Sequence, residues 1–435
     1  MADAIPLLEA HETRQRRRKA GHDQETFGAT VAAVLCDVVH HHLTGRDGAV
    51  AIPRSSTKLG TKSRYRHRVL SKQLPQILDA MAKPEVGLIR QEVGRRGLFG
   101  FQGWETTIQA GPRLRQHIRV LDLDKTDLKL AAEGEVIILR RDEDDSPEGH
   151  DSPGQDADMG ATKAHGRKTR KVVVEYEDTS DTNAMRARME TINEWLWQAD
   201  LDVYEALVGH HEVDPEERRL RRIFSLRRFD RGGRLYGGFW QTMKKEARRK
   251  AITINGEPVV ELDLGQVAPR ILYGMVGARP HWKDAYIVPG HEWHREGIKL
   301  LLNTILFDTK PRTQMPQGGR KLFSMSDHAN DKTSHKQLRE KEKVETIIQA
   351  IGDHHHPIRH QFFTGVGHEV QYRESEIMVE ILLRLRENDV VALPIHDGLL
   401  VPRSALEVSR EVMVGTFEEM AQVEAVVRMK GWTTH

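Results

Sequence analysis

Val259-Val260-Glu261-Leu262-Asp263-Leu264 and Val390-Val391-Ala392-Leu393-Pro394-Ile395-His396-Asp397-Gly398-Leu399-Leu400-Val401 are two apolar runs that each arrive at an aspartate. Short apolar runs rich in β-branched residues and bounded by turn formers read as buried strands. After the first, Gly265-Gln266-Val267-Ala268 leads into Pro269-Arg270-Ile271-Leu272-Tyr273, where the proline suits the opening of a helix. Asp263 is therefore expected at a strand-to-helix corner. In the second, His396-Asp397-Gly398 is a tight-turn sequence, so Asp397 is expected at the tip of a hairpin. An aspartate in a turn ordinarily serves local hydrogen bonding. Two at the ends of neighbouring strands would repel and raise each other's pKa, a conflict that a divalent cation resolves.

A third segment carries positive charge. His294-Arg295-Glu296-Gly297-Ile298-Lys299-Leu300-Leu301-Leu302-Asn303-Thr304-Ile305-Leu306-Phe307 spaces Arg295, Lys299, Asn303 and Phe307 four apart, along one stripe of a helix. Arg295 and Lys299 repel mildly at that spacing, which makes more sense with a polyphosphate between them. The ordinary alternative is the solvated face of an amphipathic helix. Two carboxylates with metal ions roughly 3.5–4 Å apart and a cationic helix form a phosphoryl-transfer arrangement.

These three segments, in this order, resemble motifs A, B and C of the family A DNA polymerases and the related single-subunit phage-type RNA polymerases. Asp263 and Arg270 fit motif A, with Gly265 in place of the usual serine. Arg295, Lys299 and Phe307 fit motif B, from which Asn303 departs, and His396-Asp397 is the motif C pair. Upstream, Gly233-Arg234-Leu235 is similar to the segment whose arginine approaches the primer–template. Gln371, followed by Ser375-Glu376-Ile377-Met378, is similar to the glutamine-bearing helix before motif C.

The resemblance covers about residues 216–435. It implies an α/β (α+β) right-hand polymerase fold with an antiparallel-sheet palm, and reduced fingers because only 134 positions separate Asp263 from Asp397. It implies primer extension by two-metal catalysis on a DNA primer–template with nucleoside triphosphates. Asp263, Asp397 and the Leu264 backbone would bind two Mg²⁺ ions, with Mn²⁺ as a substitute. Lys299 would be catalytic, and Arg295, Lys299, Asn303, Phe307, Gln266 and Ala268 would contact the nucleotide. Arg234, Arg270, Gln371 and His396 would contact nucleic acid. Ala268 and Gly398 stand where the DNA enzymes carry acidic residues, so a primase or RNA polymerase using ribonucleotides is the alternative. A DNA-binding regulator with an inactive palm is another. No proofreading exonuclease is expected ahead of the palm.

Outward from this core, the 435 residues predict several domains, and a 38% hydrophobic fraction suffices to fill them. No apolar run approaches the ~20 residues that span a bilayer. Cys36 is the one cysteine, which excludes an internal disulfide and thiolate metal clusters and fits a reducing, cytoplasmic setting. The basic run near the N-terminus follows its apolar stretch, the wrong order for a secretory signal. Net charge is only +2, but Lys58–Arg119 carries thirteen basic residues against four acidic. There the pattern predicts a helix from Val69 to Met81, strands Val86–Ile89 and Trp104–Ile108, and a Gly-rich tip between them. This reads as a winged-helix-like module with Arg95 and Arg96 on phosphates, against the ordinary alternative of a solvated charged face.

The expected organisation is an N-terminal helical arm (1–45), the basic module (46–141), a flexible linker (142–168), a thumb-like helical region (169–230) and the palm and fingers (231–435). In the thumb-like region Val172–Tyr176 reads as a strand, and Met185 to Val203 as one helix capped by Thr182 or Asn183. His40–His42 and His354–His356 are not zinc sites, since neighbours on a helix point about 100° apart. The stretch 311–343 reads as a loop near template or a solubilising insertion. Tyr236, Phe239 and Trp240 suit either base stacking or core packing.

Overall fold

A computed structural model describes residues 4–11, 21–44, 49–67, 69–95, 104–124, 127–128, 134–142, 171–204, 207–208, 213–319, 322 and 343–430. Arg96, the expected linker after Asp142, and most of the 311–343 loop lie outside the described residues. The chain divides into two compact units, Met1–Glu135 and Val136–His435. Among the described residues no helix is long and apolar enough to cross a membrane.

The first unit contains α1 (Ala4–His11), α2 (His22–Leu43), β1 (Val50–Ile52), α3 (Ser56–Gly60), α4 (Leu74–Met81), β2 (Ile89–Glu92), β3 (Thr106–Ala110) and α5 (Pro112–Val120). Its three strands are antiparallel in the order β1-β3-β2, and an Arg95–Trp104 bridge extends the β2–β3 hairpin. Leu8, Phe27, Val31, Leu78, Met81 and Ile108 fill its core. The helix expected from Val69 starts only at Leu74, because Pro75 is tolerated in a first turn and not inside a helix. The strand expected at Val86–Ile89 begins at Ile89 instead. Gly87 turns the chain there with a φ of 60°.

The second unit adds β4 (Ile137–Asp142), β5 (Lys171–Val173), α6 (Ser180–Gln198), β6 (Leu201–Val203), β7 (Arg221–Phe224), β8 (Gly232–Tyr236), α7 (Phe239–Thr242), α8 (Lys245–Ala251), β9 (Ile252–Ile254) and β10 (Glu257–Leu264). There follow α9 (Val267–Met275), α10 (Arg295–Phe307), α11 (Val344–His354), α12 (Gly367–Glu387), β11 (Leu393–Ile395), β12 (Gly398–Pro402), α13 (Leu406–Ala421) and β13 (Val427–Lys430). One sheet runs β11-β12-β10-β9-β6, with β13 also on β10, and all of its pairings are antiparallel. The other runs β5-β4-β7-β8, its β4–β7 pairing parallel. The architecture is thus mixed α/β with antiparallel sheets.

Local chemistry explains the central hairpins. Asn255-Gly256, both at positive φ, close β9 onto β10. His396-Asp397 close β11 onto β12, with His396 at a φ of 55°. Thr179 caps α6 in a capping box with Thr182, so the expected caps lie inside the first turn. That helix stops at Gln198, and Val203, expected on it, lies in β6. The described part of 169–230 holds one long helix among short strands rather than a helical thumb. Trp240 and Phe239 are buried core residues, which removes them as base-stacking platforms.

α12 is pinned by charge. Arg222 is 0% exposed, and its guanidinium meets Glu376 Oε1 at 2.7 Å, Ser375 Oγ at 2.9 Å and the Gly233 carbonyl at 3.1 Å. Arg188 of α6 reaches Glu376 at 3.0 Å and Glu380 at 2.8 Å. Buried charges of this kind persist only when paired and hydrogen-bonded. The network fixes α12 against β7, β8 and α6.

Candidate active site

The ladder between β10 and β12 decides where the two aspartates meet. Asp263 lies opposite Gly398, and the Leu264 amide donates to the Asp397 carbonyl at 2.9 Å. The strand-end residue and the turn residue, 134 positions apart, thus occupy one end of one sheet. Alternation along β10 puts Glu261 and Asp263 on the same face. Gly398 is required by its neighbours: a Cβ there would lie 2.8 Å from the Leu262 carbonyl and 3.2 Å from Asp263 Oδ1.

Both carboxyls titrate above the ordinary aspartate range. For Asp263 burial is the main cause and the Asp397 charge the next, partly offset by the Lys430 ammonium. For Asp397 burial again leads, followed by Glu374, with Arg234 and Lys430 opposing. Lys430 Nζ lies 2.5 Å from Asp263 Oδ1 and 3.9 Å from Glu261 Oε1. Glu261 is buried and held by Arg249 at 2.7 Å and Arg248 at 3.8 Å.

One wall beside Asp397 comes from β8 and α12. Arg234 grips Glu374 through two hydrogen bonds of 2.8 and 3.0 Å. Gln371, one turn earlier on α12, accepts from Arg234 at 3.1 and 3.2 Å when its amide oxygen faces the guanidinium. His396 packs edge-on against Tyr236 at 5.7 Å. The protein around its ring, with the Arg234 and Arg248 charges, lowers its pKa to about 4, so it is neutral at pH 7. Arg234, Gln371 and His396 therefore gather around Asp397, with Glu374 as a partner that the sequence reading lacked.

α10 carries the other residues of the resemblance. Arg295 pairs with Asp284 at 2.8 Å and Glu296 at 2.6 Å, and lies 4.9 Å from the centre of the Tyr286 ring. Tyr286 is buried, which raises its hydroxyl pKa, and Asp397 is among the nearby charges that add to this. Lys299 is exposed, Asn303 is half-buried, and Phe307 is 41% exposed with its ring edge-on to His368 at 4.9 Å.

Other expected residues take structural positions. Arg270 is buried, donates to the Glu424 carbonyl at 2.7 Å and lies 5.2 Å from the Trp282 ring centre, so its expected contact with nucleic acid is replaced by a bond within the protein. Gln266, expected at the nucleotide, is also buried. Its Oε1 accepts from the Ala285 amide at 3.1 Å, which steadies the loop bearing Asp284 and Tyr286. His355 holds the same loop from the other side, Nε2 at 2.8 Å from the Ala285 carbonyl. Ala268 is half-buried in the first turn of α9. Arg95 belongs to the first unit, 5.8 Å from the Trp104 ring centre.

Among the described residues no group of three or more His, Cys, Asp or Glu side chains is arranged to hold a metal ion. Magnesium nonetheless needs only one or two carboxylates when phosphate oxygens and waters complete its shell. Two partly buried, mutually repelling carboxylates fit that requirement. They form a concentration of negative charge that a small hard cation would relieve.

No protein-family model matches the chain, and no curated protein matches it. Among solved structures it is similar to the POL domain of Pol1 from M. smegmatis in complex with DNA primer-template and dNTP. The identity is 12% and the TM-score 0.31, over 57% of this chain and 51% of that one. The chain thus spans about half the length of that neighbour.

Proposed function

We propose that the chain is a template-directed nucleotidyltransferase that extends a primer 3′ end. The observation that carries this reading is the meeting of Asp263 and Asp397 at one end of the sheet through the Leu264–Asp397 backbone bond. Asp263 and Asp397, with the Leu264 carbonyl, would hold Mg²⁺, which when bound activates the 3′ hydroxyl and stabilises the leaving pyrophosphate. Lys299, exposed on α10, meets the triphosphate, and Arg295 orients α10 through Asp284 and Tyr286. Phe307 offers its exposed ring to the nascent base pair. Arg234, Gln371 and neutral His396 line the primer side, where uncharged or pre-paired donors read a duplex edge without trapping it. The first unit, in which a helix, a strand, two helices and a hairpin follow in order, serves as a winged-helix-like grip on duplex through Arg95 and its neighbours.

Gly398 does not argue for ribonucleotides, since Asp263 and the Leu262 carbonyl already exclude a side chain there. The sugar is chosen elsewhere, and comparison of dNTP and rNTP incorporation on one primed template identifies it. Asp397→Ala tests the reaction itself: primer extension should vanish while duplex binding persists. Extension at the wild-type rate by that variant refutes the assignment.

A further inference from the structure

Three of the four carboxylates gathered around the Asp263–Asp397 end of the sheet have their own cation. Arg249 serves Glu261, Arg234 serves Glu374 and Lys430 serves Asp263. Among the described residues no ion pair reaches Asp397. The three cations are not equivalent. The Arg234 guanidinium is locked in a two-bond fork, and Arg249 sits on a buried carboxylate. Lys430 is a point charge on a flexible stem, 35% exposed, on the last described strand. Opposite Glu261 in the β10–β13 ladder, it reaches diagonally to Asp263.

We propose that Lys430 is the resident counter-ion of the aspartate pair, which an incoming divalent cation must displace from Asp263. This rests on the reading of Asp263 and Asp397 as metal ligands. Lys430 holds the carboxylate in place and its charge balanced while the metal is away. Once the metal binds, its ammonium swings outward along the exposed side of β13. The exchange weakens metal binding in the free protein, because the same oxygen serves both cations. Removing the ammonium should tighten metal binding, and keeping a positive charge on a different head group should not.

Titration of the full chain with Mn²⁺ alone, following the paramagnetic resonance signal of the free ion, reads this directly. Lys430→Gln should bind Mn²⁺ about tenfold more tightly than wild type, since a unit charge within several ångströms of a divalent ion is worth at least that much. Lys430→Arg should stay within about threefold of wild type, roughly half of that energy. Circular dichroism and thermal melting confirm that each variant is folded. Unchanged or weaker binding by folded Lys430→Gln overturns the proposal, and so does equal tightening by both variants. Asp397→Asn separates the two layers. If it loses Mn²⁺ while Lys430→Gln matches wild type, the counter-ion proposal fails alone; if it binds like wild type, the metal-site reading fails and the proposal with it.

Discussion

Replacing Gly398 by alanine adds one methyl group at the most constrained point of the candidate site. The added carbon would meet the Leu262 carbonyl at 2.8 Å, Asp263 Oδ1 at 3.2 Å and the Ile395 carbonyl at 3.6 Å. Gly398 is not among the residues with positive φ, so the penalty is steric and not a matter of backbone preference. The Leu262 carbonyl belongs to the central strand and cannot move cheaply. The β10–β12 ladder must open locally, and the Asp263 carboxylate must turn toward Lys430. Overpacking of this kind costs about 1–3 kcal/mol. At about 2–4 °C per kcal/mol for a large domain, the melting temperature should fall by roughly 2–12 °C. Activity should suffer more, because displacement of a catalytic group by about 1 Å costs on the order of a hundredfold. Single-nucleotide extension and thermal melting, run in parallel, measure both. Gly415→Ala in α13 is the control: nothing lies within 4 Å of its added carbon, so it should gain about 0.5–1 kcal/mol. A Gly398→Ala protein that melts and extends like wild type would show that the site is not packed as described.

Two other perturbations follow from the same framework. Arg222→Met leaves Glu376 short of a buried partner and strands the Ser375 hydroxyl and Gly233 carbonyl; urea unfolding should show a loss of about 3–5 kcal/mol, and a loss below about 1 kcal/mol would contradict it. His355 is fully buried, and burial lowers its pKa from 6.5 to about 4. From pH 6.5 down to about 4 the unfolded chain binds a proton that the folded chain refuses, so stability falls with acidification in that window, by up to on the order of 3 kcal/mol. The pH dependence of melting should be flatter in His355→Gln than in wild type, and parallel curves would refute this.

The aspartates were legible in the sequence because they terminate apolar runs, a pattern that fixes strand ends without knowledge of partners. The helix bearing Arg295, Lys299, Asn303 and Phe307 was legible for a similar reason, since a four-residue spacing survives any packing. What the sequence hid depends on registers between distant segments. Lys430 sits in Val427-Arg428-Met429-Lys430, whose alternation marks a strand but not that it lies against β10. Glu374 could have been suspected, three residues after Gln371 and so on the same helix face. Arg270 and Gln266 misled because motif position says nothing about burial: both side chains turn inward to bond the protein's own backbone. In the first unit the Val69–Met81 pattern overran the true helix start, where Pro75 outweighed hydrophobic periodicity.

If the proposed metal site is correct, the distribution of charge on the β10 face would set an order of events. Glu261 and Glu374 are held in the fold by arginines, which tie β10 to α8 and α12 to β8. Asp263 is held by a lysine that can leave, and Asp397, among the described residues, by no ion pair. Two adjacent carboxylates with unequal claims on cations do not fill together. On the proposed metal-site reading, a first cation would meet less competition at Asp397 and would weaken the hold of Asp263 on Lys430 by placing positive charge beside it. On the proposed reading, Asp263 would join the site as Lys430 withdraws, a step that the negative charge of triphosphate oxygens would favour. The Asp263–Lys430 ion pair would thus tie nucleotide arrival to completion of the proposed site.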